Sequence, residues 1–235
     1  MNDIWEALIK AVSLVLTLDT DLLEIVGLSL QLSLTAVGIS LLIGLPLAAL
    51  LALTKFPGRK ILIVATNVFM GLPPVVVGLM VYVILSRSGP LGVLGLLFTP
   101  TAMVIAQVIL VVPIVTAISR QVLEDYHQEY DELLTSLGVS KRRRISALLW
   151  DARFALTTAG LAGFGRAASE VGAVMIVGGN IDHLTRVMTT AIALESRKGD
   201  LVMALALGIV LITLALGINL AAYLITETAK RRYAA

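Results

Sequence analysis

Residues 120–141 read RQVLEDYHQEYDELLTSLGVSK and form a polar, charged stretch in an otherwise apolar chain. Arg142, Arg143 and Arg144 continue it. The stretch lies between two apolar runs that are long enough to cross a bilayer, and it is longer than a simple connector needs to be. Tyr130 and the leucines that follow it recur at helical spacing. This pattern predicts a helical surface outside the membrane that a partner contacts.

The composition indicates a polytopic membrane protein. Of the 235 residues, 58% are hydrophobic and 14% are charged, and the mean hydropathy is +0.95. A soluble domain carries about 25% charged residues. Because the chain has no cysteine, it can form neither a disulfide nor a thiolate metal site. His127 and His183 lie in different polar segments, which argues against a histidine metal cluster.

Five apolar runs predict transmembrane helices, because in a bilayer only a helix pairs its backbone polar groups within one segment. These runs are residues 25–53, 61–85, 98–119, 154–178 and 201–225. Residues 1–24 differ from them. Trp5, Leu8 and Val12 recur there at helical spacing with polar residues between them, which is typical of a helix lying at the membrane surface. A short sixth span is the alternative for this segment.

Basic residues predict the orientation of the chain. Lysines and arginines cluster in the loop at residues 55–60, in the polar segment 120–151 and in the tail 229–235. With five spans all three regions fall on one side, which the positive-inside rule makes cytoplasmic. We therefore expect the N-terminus outside and the C-terminus inside. The expected domains are an N-terminal interfacial helix (1–24), a transmembrane domain that includes the polar segment (25–228) and a basic cytoplasmic tail (229–235).

The polar stretch 120–144 predicts two short helices, one before Gly138 and one after it. Gly138 suits a helix end, since glycine adopts the left-handed conformation without strain, and Ser140 is placed to cap the helix that follows. A solvated loop helix whose arginines touch anionic lipid is the alternative to a docking surface.

Residues 132–140, ELLTSLGVS, resemble the "EAA" loop of permease subunits in ATP-binding-cassette importers. That loop begins Glu-Ala-Ala and has a glycine four residues after its second alanine. Glu132 and Gly138 match these positions, whereas Leu133 and Leu134 replace the alanines. Residues 150–151 read WD where Leu-Pro is usual in the family.

The resemblance implies a coupling helix that sits in a cleft of an ATP-hydrolysing subunit. The residues implied in this coupling are Glu132, Leu133, Leu134, Leu137, Gly138, Val139 and Ser140, with the leucines and the valine as the apolar contact, the glutamate as a charged contact or support and the glycine as the bend. The chain has no phosphate-binding loop of the Gly-x-x-x-x-Gly-Lys-Ser/Thr type. We therefore expect no catalytic residue, no metal and no cofactor in this chain, and ATP and Mg²⁺ on a separate ATPase subunit.

Ionisable side chains interrupt the fourth apolar run. Arg166 and Glu170 are four residues apart, so on a helix they share one face and can pair. Ionisable groups inside a bilayer cost several kcal/mol unless they are paired or face water, and they indicate function by default. A buried ion pair that only orients helices is the alternative. In the second run, Pro73 and Pro74 remove two backbone donors and predict a kink, which is either part of a gate or static.

Arg166, Glu170 and Gly172, followed by a Gly-Asn pair at 179–180, resemble permeases for the tetrahedral oxyanions sulfate, molybdate and tungstate. Residues 71–78, GLPPVVVG, are a second matching block, and residues 168–180 and 189–195 most resemble the tungstate group. The resemblance implies an all-α, type I importer permease fold with Pro73, Pro74, Arg166, Glu170 and Gly172 on the translocation path or gate.

The same resemblance implies how the protein works. A second copy of the chain, ATP-binding-cassette ATPase subunits and an extracytoplasmic oxyanion-binding protein are the expected partners, in the lipid of the cell membrane and without nucleic acid. The expected function is import of tungstate, with molybdate or sulfate as alternative substrates. An ion-coupled secondary transporter with Glu170 as its proton site is a further alternative.

Overall fold

A computed structural model of the protein describes residues 2–17 and 20–234, and the regular structure within these ranges is helical. The α-helices are α1 (Asn2–Leu16), α2 (Thr20–Leu53), α3 (Arg59–Met70), α4 (Pro74–Leu85), α5 (Pro100–Ser136), α6 (Lys141–Asp151), α7 (Arg153–Ala168), α8 (Gly172–Gly178), α9 (Met188–Lys198) and α10 (Leu201–Ala234). One 3₁₀ turn, Gly92–Leu94, lies between α4 and α5. The predicted all-α class is confirmed.

Three helices, α2, α5 and α10, are long and apolar enough to cross a bilayer unbroken. Two further spans are bent pairs, with 101° between α3 and α4 and 58° between α7 and α8. When each bent pair is counted as one span, the five spans expected from the sequence are all present. Helices α2 and α5 make the most extensive contact in the bundle, and α7 packs on both of them.

The two prolines of the second span begin a helix instead of kinking one. Helix α3 ends at Met70, and Pro73 takes an extended conformation (φ −63°, ψ 122°) before Pro74 starts α4. The residue before a proline is disfavoured in the helical region, and a proline at the first helical position loses no hydrogen bond. The prediction of a kink within one helix is therefore wrong, because these residues separate two helices.

The helices that follow the two breaks pack against each other. A Cβ added to Gly78 of α4 would lie 2.7 Å from Cα of Ala173 in α8, and one added to Gly172 would lie 2.9 Å from Cγ2 of Val75. In lipid, where burial gives no hydrophobic gain, small residues let helix backbones approach closely and hold them together. The break at residues 71–73 and the break at 169–171 therefore lie side by side.

The main apolar core surrounds this contact. Met103 and Ala106 of α5 pack with Val77 of α4, Val177 of α8 and Leu32 of α2, and all five are buried. Because α4, α5 and α8 all contribute side chains to this cluster, its packing fixes their positions relative to one another.

The two ends of the bundle differ in structure. At one end, here called the Gly138 end, the α2–α3 turn lies beside α5, and the chain turns from α5 into α6. At the other, the Asn180 end, lie residues 86–99 and 179–187. Residues 180–200 contain α9, which begins inside the bundle, where Met188 and Ala191 are buried.

Helix α1 packs along α10 through Ala7 and Ala11, which are both buried. Its larger apolar side chains, such as Trp5 at 66% exposure, face outward. With 15 residues α1 is about 22 Å long, shorter than the roughly 30 Å hydrocarbon core. Its assignment to the membrane surface stays a prediction.

Replacing Gly78 with alanine tests the contact between α4 and α8. The added methyl group overlaps the backbone at Ala173, so we expect the free energy of unfolding to fall by about 1–3 kcal/mol. Thermal unfolding of the purified protein in detergent measures it. Gly208→Ala is the matched control, because no atom lies within 4 Å of its added Cβ. Equal unfolding temperatures for the two variants would contradict the close packing.

Candidate functional site

Helix α5 extends well beyond a membrane. Its 37 residues span about 55 Å, whereas the hydrocarbon core is about 30 Å thick. The polar residues 120–136 make up the excess of roughly 25 Å. The prediction of a separate short helix before Gly138 is wrong, because α5 is continuous to Ser136 and no glycine or proline interrupts it after residue 119.

Gly138 ends α5 with a Schellman motif. Its φ of +62° is left-handed, its N–H donates to the carbonyl of Thr135 (3.0 Å), and the N–H of Val139 donates to that of Leu134 (3.1 Å). The predicted left-handed glycine is confirmed. Ser140 precedes α6 at the predicted N-cap position, but its side chain makes no capping hydrogen bond.

An arginine stabilises this turn, which is called the α5–α6 corner (residues 131–144). Arg144 of α6 reaches back to α5, with Nη1 2.6 Å from Oδ1 of Asp131 and Nη2 2.9 Å from Oγ1 of Thr135. Because a planar guanidinium holds two acceptors in fixed directions, Arg144 sets the angle between the helices.

A second arginine contact joins α5 to α2 and α3. Arg59 places Nη2 2.6 Å from Oε1 of Glu124 and donates Nε–H to the carbonyl of Leu51 at 2.5 Å. Arg120 pairs with the other oxygen of the same glutamate. The polar part of α5 is therefore tied to the α2–α3 turn.

The corner presents an apolar tip. Leu133 is 54% exposed and Leu137 is 67% exposed, and Glu132 beside them is exposed as well. Leu134 and Val139 are partly buried. Of the four predicted apolar contact residues, Leu133 and Leu137 are thus the most accessible to a partner.

Arg166 and Glu170 form an ion pair across the end of α7. Nη1 of Arg166 lies 2.7 Å from Oε2 of Glu170, which confirms the predicted pairing. The two residues do not share a helix, however, because α7 ends at Ala168 and Glu170 lies in the break. The other carboxylate oxygen accepts the N–H of Ala173 at 3.0 Å and so pairs a donor of the first turn of α8. The side chain of Glu170 is 3% exposed and that of Arg166 is 28% exposed.

Side chains from two other helices bond the backbone at this break. Gln107 of α5 donates Nε2–H to the carbonyl of Ala167 at 3.1 Å, and Thr189 of α9 donates its hydroxyl to the carbonyl of Glu170 at 2.8 Å. A small cavity of about 10 Å³ lies beside them. Neither residue was among the predicted site residues. Thr189 begins the block 189–195 that resembles the tungstate group, whereas Gln107 gave no signal beyond its polarity in an apolar run.

The predicted site residues, those of the path and those of the coupling segment, fall into two groups. Gly172 packs on Val75, next to Pro74, so the two breaks bring Pro73, Pro74, Glu170 and Gly172 to one region. Arg166 borders this region through its bond to Glu170. The corner residues lie at the Gly138 end, apart from them. Within residues 2–17 and 20–234, no three His, Asp or Glu side chains converge as metal ligands would.

The Asn180 end is held by a histidine–carboxylate contact. Nδ1 of His183 lies 2.8 Å from Oε2 of Glu24 at the start of α2. This hydrogen bond, the charge of Glu24 and the charge of Asp182 raise the pKa of His183 above its ordinary value. Asn180 and His183 both have positive φ (51° and 56°), which marks a tight turn after α8.

Comparison with known protein families identifies the family of the chain. Residues 41–231, which include the α5–α6 corner and both breaks, match the family described as binding-protein-dependent transport system inner membrane component. The chain belongs to this family. The predicted ATP-binding-cassette importer permease and its type I fold are thereby confirmed.

The permease has relatives among anion transporters. It is 37% identical over 227 residues to the tungstate uptake system permease protein TupB of Peptoclostridium acidaminophilum, covering 97% of this chain and 100% of that protein. It is 40% identical over 205 residues to a probable anion ABC transporter permease protein of Haloferax volcanii, covering 85% and 88%. The sulfate transport system permease protein CysW of Escherichia coli is 31% identical over 172 residues, covering 69% and 58%. The predicted resemblance to oxyanion permeases is confirmed.

Replacing Arg166 with glutamine tests the buried ion pair. The variant leaves the carboxylate of Glu170 buried without its counter-charge. Breaking a fully buried pair costs about 3–5 kcal/mol, and the partial exposure of Arg166 reduces the expected loss to about 1–3 kcal/mol. The double variant Arg166→Gln, Glu170→Gln should recover most of this loss. Thermal unfolding in detergent measures both, and an Arg166→Gln variant as stable as the wild type would contradict the pairing.

The raised pKa of His183 predicts a dependence of stability on pH. A group whose pKa is higher in the folded state stabilises that state when protonated, fully below its ordinary pKa of about 6.5 and less as the pH rises through the raised value. Relative to His183→Gln, the wild type should unfold at a higher temperature at about pH 6, and the difference should shrink as the pH rises above the ordinary pKa of about 6.5. The effect is small, since both side chains are exposed. A difference that grows with pH would contradict this assignment.

Proposed function

We propose that two copies of the permease form the transmembrane path of an ATP-driven importer for a tetrahedral oxyanion, with tungstate as the first candidate. The permease is 37% identical to a tungstate uptake permease, in an alignment that covers 97% of the chain, and this supports the substrate class. Molybdate and sulfate share the tetrahedral geometry and the double negative charge, so they are the alternatives. The selectivity among them lies mainly in the binding protein that delivers the anion.

The position of Arg166 is the observation that carries the proposal. It lies 13 residues along α7 from Arg153, which is about 20 Å, within the thickness of a bilayer core. A guanidinium facing lipid at this depth costs several kcal/mol. In one copy its side chain is 28% exposed, and Nη1 bonds Glu170. The exposed part therefore faces a water-filled path between two copies.

The ion pair suits a path better than a lone arginine would. A doubly charged oxyanion needs hydrogen-bond donors to replace water, but a strong positive field would hold it too tightly for release. Glu170 offsets the charge of Arg166, while the remaining N–H groups of the guanidinium can still donate. Both oxygens of Glu170 are already bonded, to Arg166 and to the N–H of Ala173, which argues against a role as a proton carrier.

The α5–α6 corner is the docking surface for the ATPase. Its exposed Leu133 and Leu137 are the apolar contact, and ATP and Mg²⁺ are bound by the ATPase subunits. Arg144 joins the corner to α5, and α5 continues as one helix through the membrane. Movement of the corner on ATP binding therefore moves α5, and the path alternates between inward-open and outward-open states because ATP binds one state more tightly.

The orientation follows from the basic residues. The Gly138 end is cytoplasmic under the positive-inside rule, which places the N-terminus outside and the C-terminus inside the cell membrane. The extracytoplasmic binding protein then docks at the Asn180 end, near residues 86–99 and 179–187.

Replacing Leu137 with aspartate tests the docking surface. A charge at the centre of an apolar contact should weaken ATPase binding by tenfold or more, or about 1.4 kcal/mol, without lowering the unfolding temperature, because Leu137 is 67% exposed. Binding is measured on the purified subunits. Val93→Asp is the matched control, since Val93 is fully exposed at the opposite end. Equal ATPase affinities for the two variants would contradict the assignment.

Reconstitution tests the substrate class. The permease, its ATPase and its binding protein are placed in liposomes, and ATP hydrolysis is titrated with tungstate, molybdate and sulfate in turn. We expect stimulation by tungstate at the lowest concentration. Transport by the permease alone along a proton gradient would overturn the proposal.

A further inference from the structure

The backbone at the α7–α8 break accepts hydrogen bonds from the side chains of two other helices. Gln107 belongs to α5, which continues to the α5–α6 corner at the Gly138 end. Thr189 belongs to α9, which begins inside the bundle and ends with Lys198 and Gly199 exposed. We propose that Gln107 and Thr189 are positioning residues that hold the break and so determine where Arg166 and Glu170 stand in the path.

The geometry of Thr189 distinguishes it from other threonines of the chain. Thr116, Thr66 and Thr213 each donate to the carbonyl four residues earlier in their own helix. Thr189 instead donates to the carbonyl of Glu170, 19 residues earlier and outside its helix. Its hydroxyl therefore joins α9 to the break, and its removal changes a contact between two elements.

Gln107 makes the corresponding contact from α5. It is 4% exposed, and its Nε2 bonds the carbonyl of Ala167, the last but one residue of α7. Its Oε1 is buried and has no hydrogen-bond partner among the described residues. Gln107 also borders the small cavity of about 10 Å³ that Glu170 and Thr189 line. The amide thus has an unpartnered acceptor with which it can form a new hydrogen bond when the break moves.

The hydrogen bonds of Gln107 and Thr189 are weak enough to allow the α7–α8 break to change conformation. Both are hydrogen bonds between uncharged groups, which in a membrane change an equilibrium by roughly three- to twentyfold. A bond of this size biases the break toward one arrangement without locking it. Ser29 of α2 strengthens the inner end of α9, because its hydroxyl accepts the N–H of Met188 at 2.8 Å. Displacement of the outer end of α9 therefore reaches Glu170 through Thr189, while displacement of α5 reaches Ala167 through Gln107.

The inference rests on the proposed function for its transport readout, so the experiment includes a second readout that does not. Thr189→Val removes the hydroxyl at nearly constant size, and Thr189→Ser keeps it. Thr116→Val is the matched control, because the buried Thr116 hydroxyl donates to the carbonyl of Val112 in its own helix. Gln107→Leu tests the second contact independently, should Thr189→Val fail to fold.

The first readout is the stimulation of ATP hydrolysis by the tungstate-loaded binding protein in the reconstituted complex. We expect it to fall roughly three- to twentyfold in Thr189→Val and in Gln107→Leu, with wild-type values in Thr189→Ser and Thr116→Val. The second readout is the distance between spin labels on the permease. The chain has no cysteine, so Thr158→Cys and Ile181→Cys label the two sides of the break uniquely within each copy. We expect one dominant distance in the wild type and a broader or shifted distribution in the two variants.

The outcomes separate the two proposals. If no anion stimulates the wild type, the proposed function fails, and the spin-label distances still decide whether Gln107 and Thr189 position the break. If the wild type is stimulated and Thr189→Val matches it in both readouts, the positioning role is overturned while the proposed function stands. Lost stimulation with unchanged distances also overturns the positioning role.

Discussion

The α7–α8 break depends on the pairing of polar groups inside an apolar bundle. A broken helix leaves backbone N–H and C=O groups without partners, and in a bilayer each such group costs several kcal/mol. Here Glu170 accepts the N–H of Ala173, Thr189 donates to the carbonyl of Glu170, and Arg166 offsets the carboxylate charge. Without these partners α7 and α8 would be driven toward one straight helix, and the irregular region in the middle of the bundle would not exist.

The second break is stabilised by the first. Pro73 and Pro74 end one helix and start another through their own covalent geometry, but the direction of α4 after the break is set by its contact with α8. Gly78 and Ala173 bring the two backbones together, and Val75 packs on Gly172. Two interruptions, at residues 71–73 and 169–171, thus form one structural unit. This unit lies against α5, the single long helix that connects it to the α5–α6 corner.

At the α5–α6 corner, local sequence patterns predicted some features correctly and others wrongly. The left-handed Gly138 could be predicted because a glycine after a helical leucine pattern is a local signal. The two prolines were noticed for a similar reason, although they produced a break where a kink was expected. A separate helix before Gly138 was wrongly predicted. The sequence changes from apolar to polar at 119–120, where the predicted span ends. Polarity changes there while the backbone remains helical.

The amino-acid sequence by itself determined the membrane class, the number of spans, the ion pair of Arg166 with Glu170 and the membership in an importer permease family. These properties depend on composition, run length and short spacings, which are readable along the chain. Only the tertiary structure decided that α9 re-enters the bundle, that the two breaks meet and that Gln107 and Thr189 bond the second break. The physical reason is that these contacts join residues far apart in the chain: Thr189 bonds a residue 19 positions away, and Gln107 one 60 positions away. A single polar side chain carries no local signal of its partner.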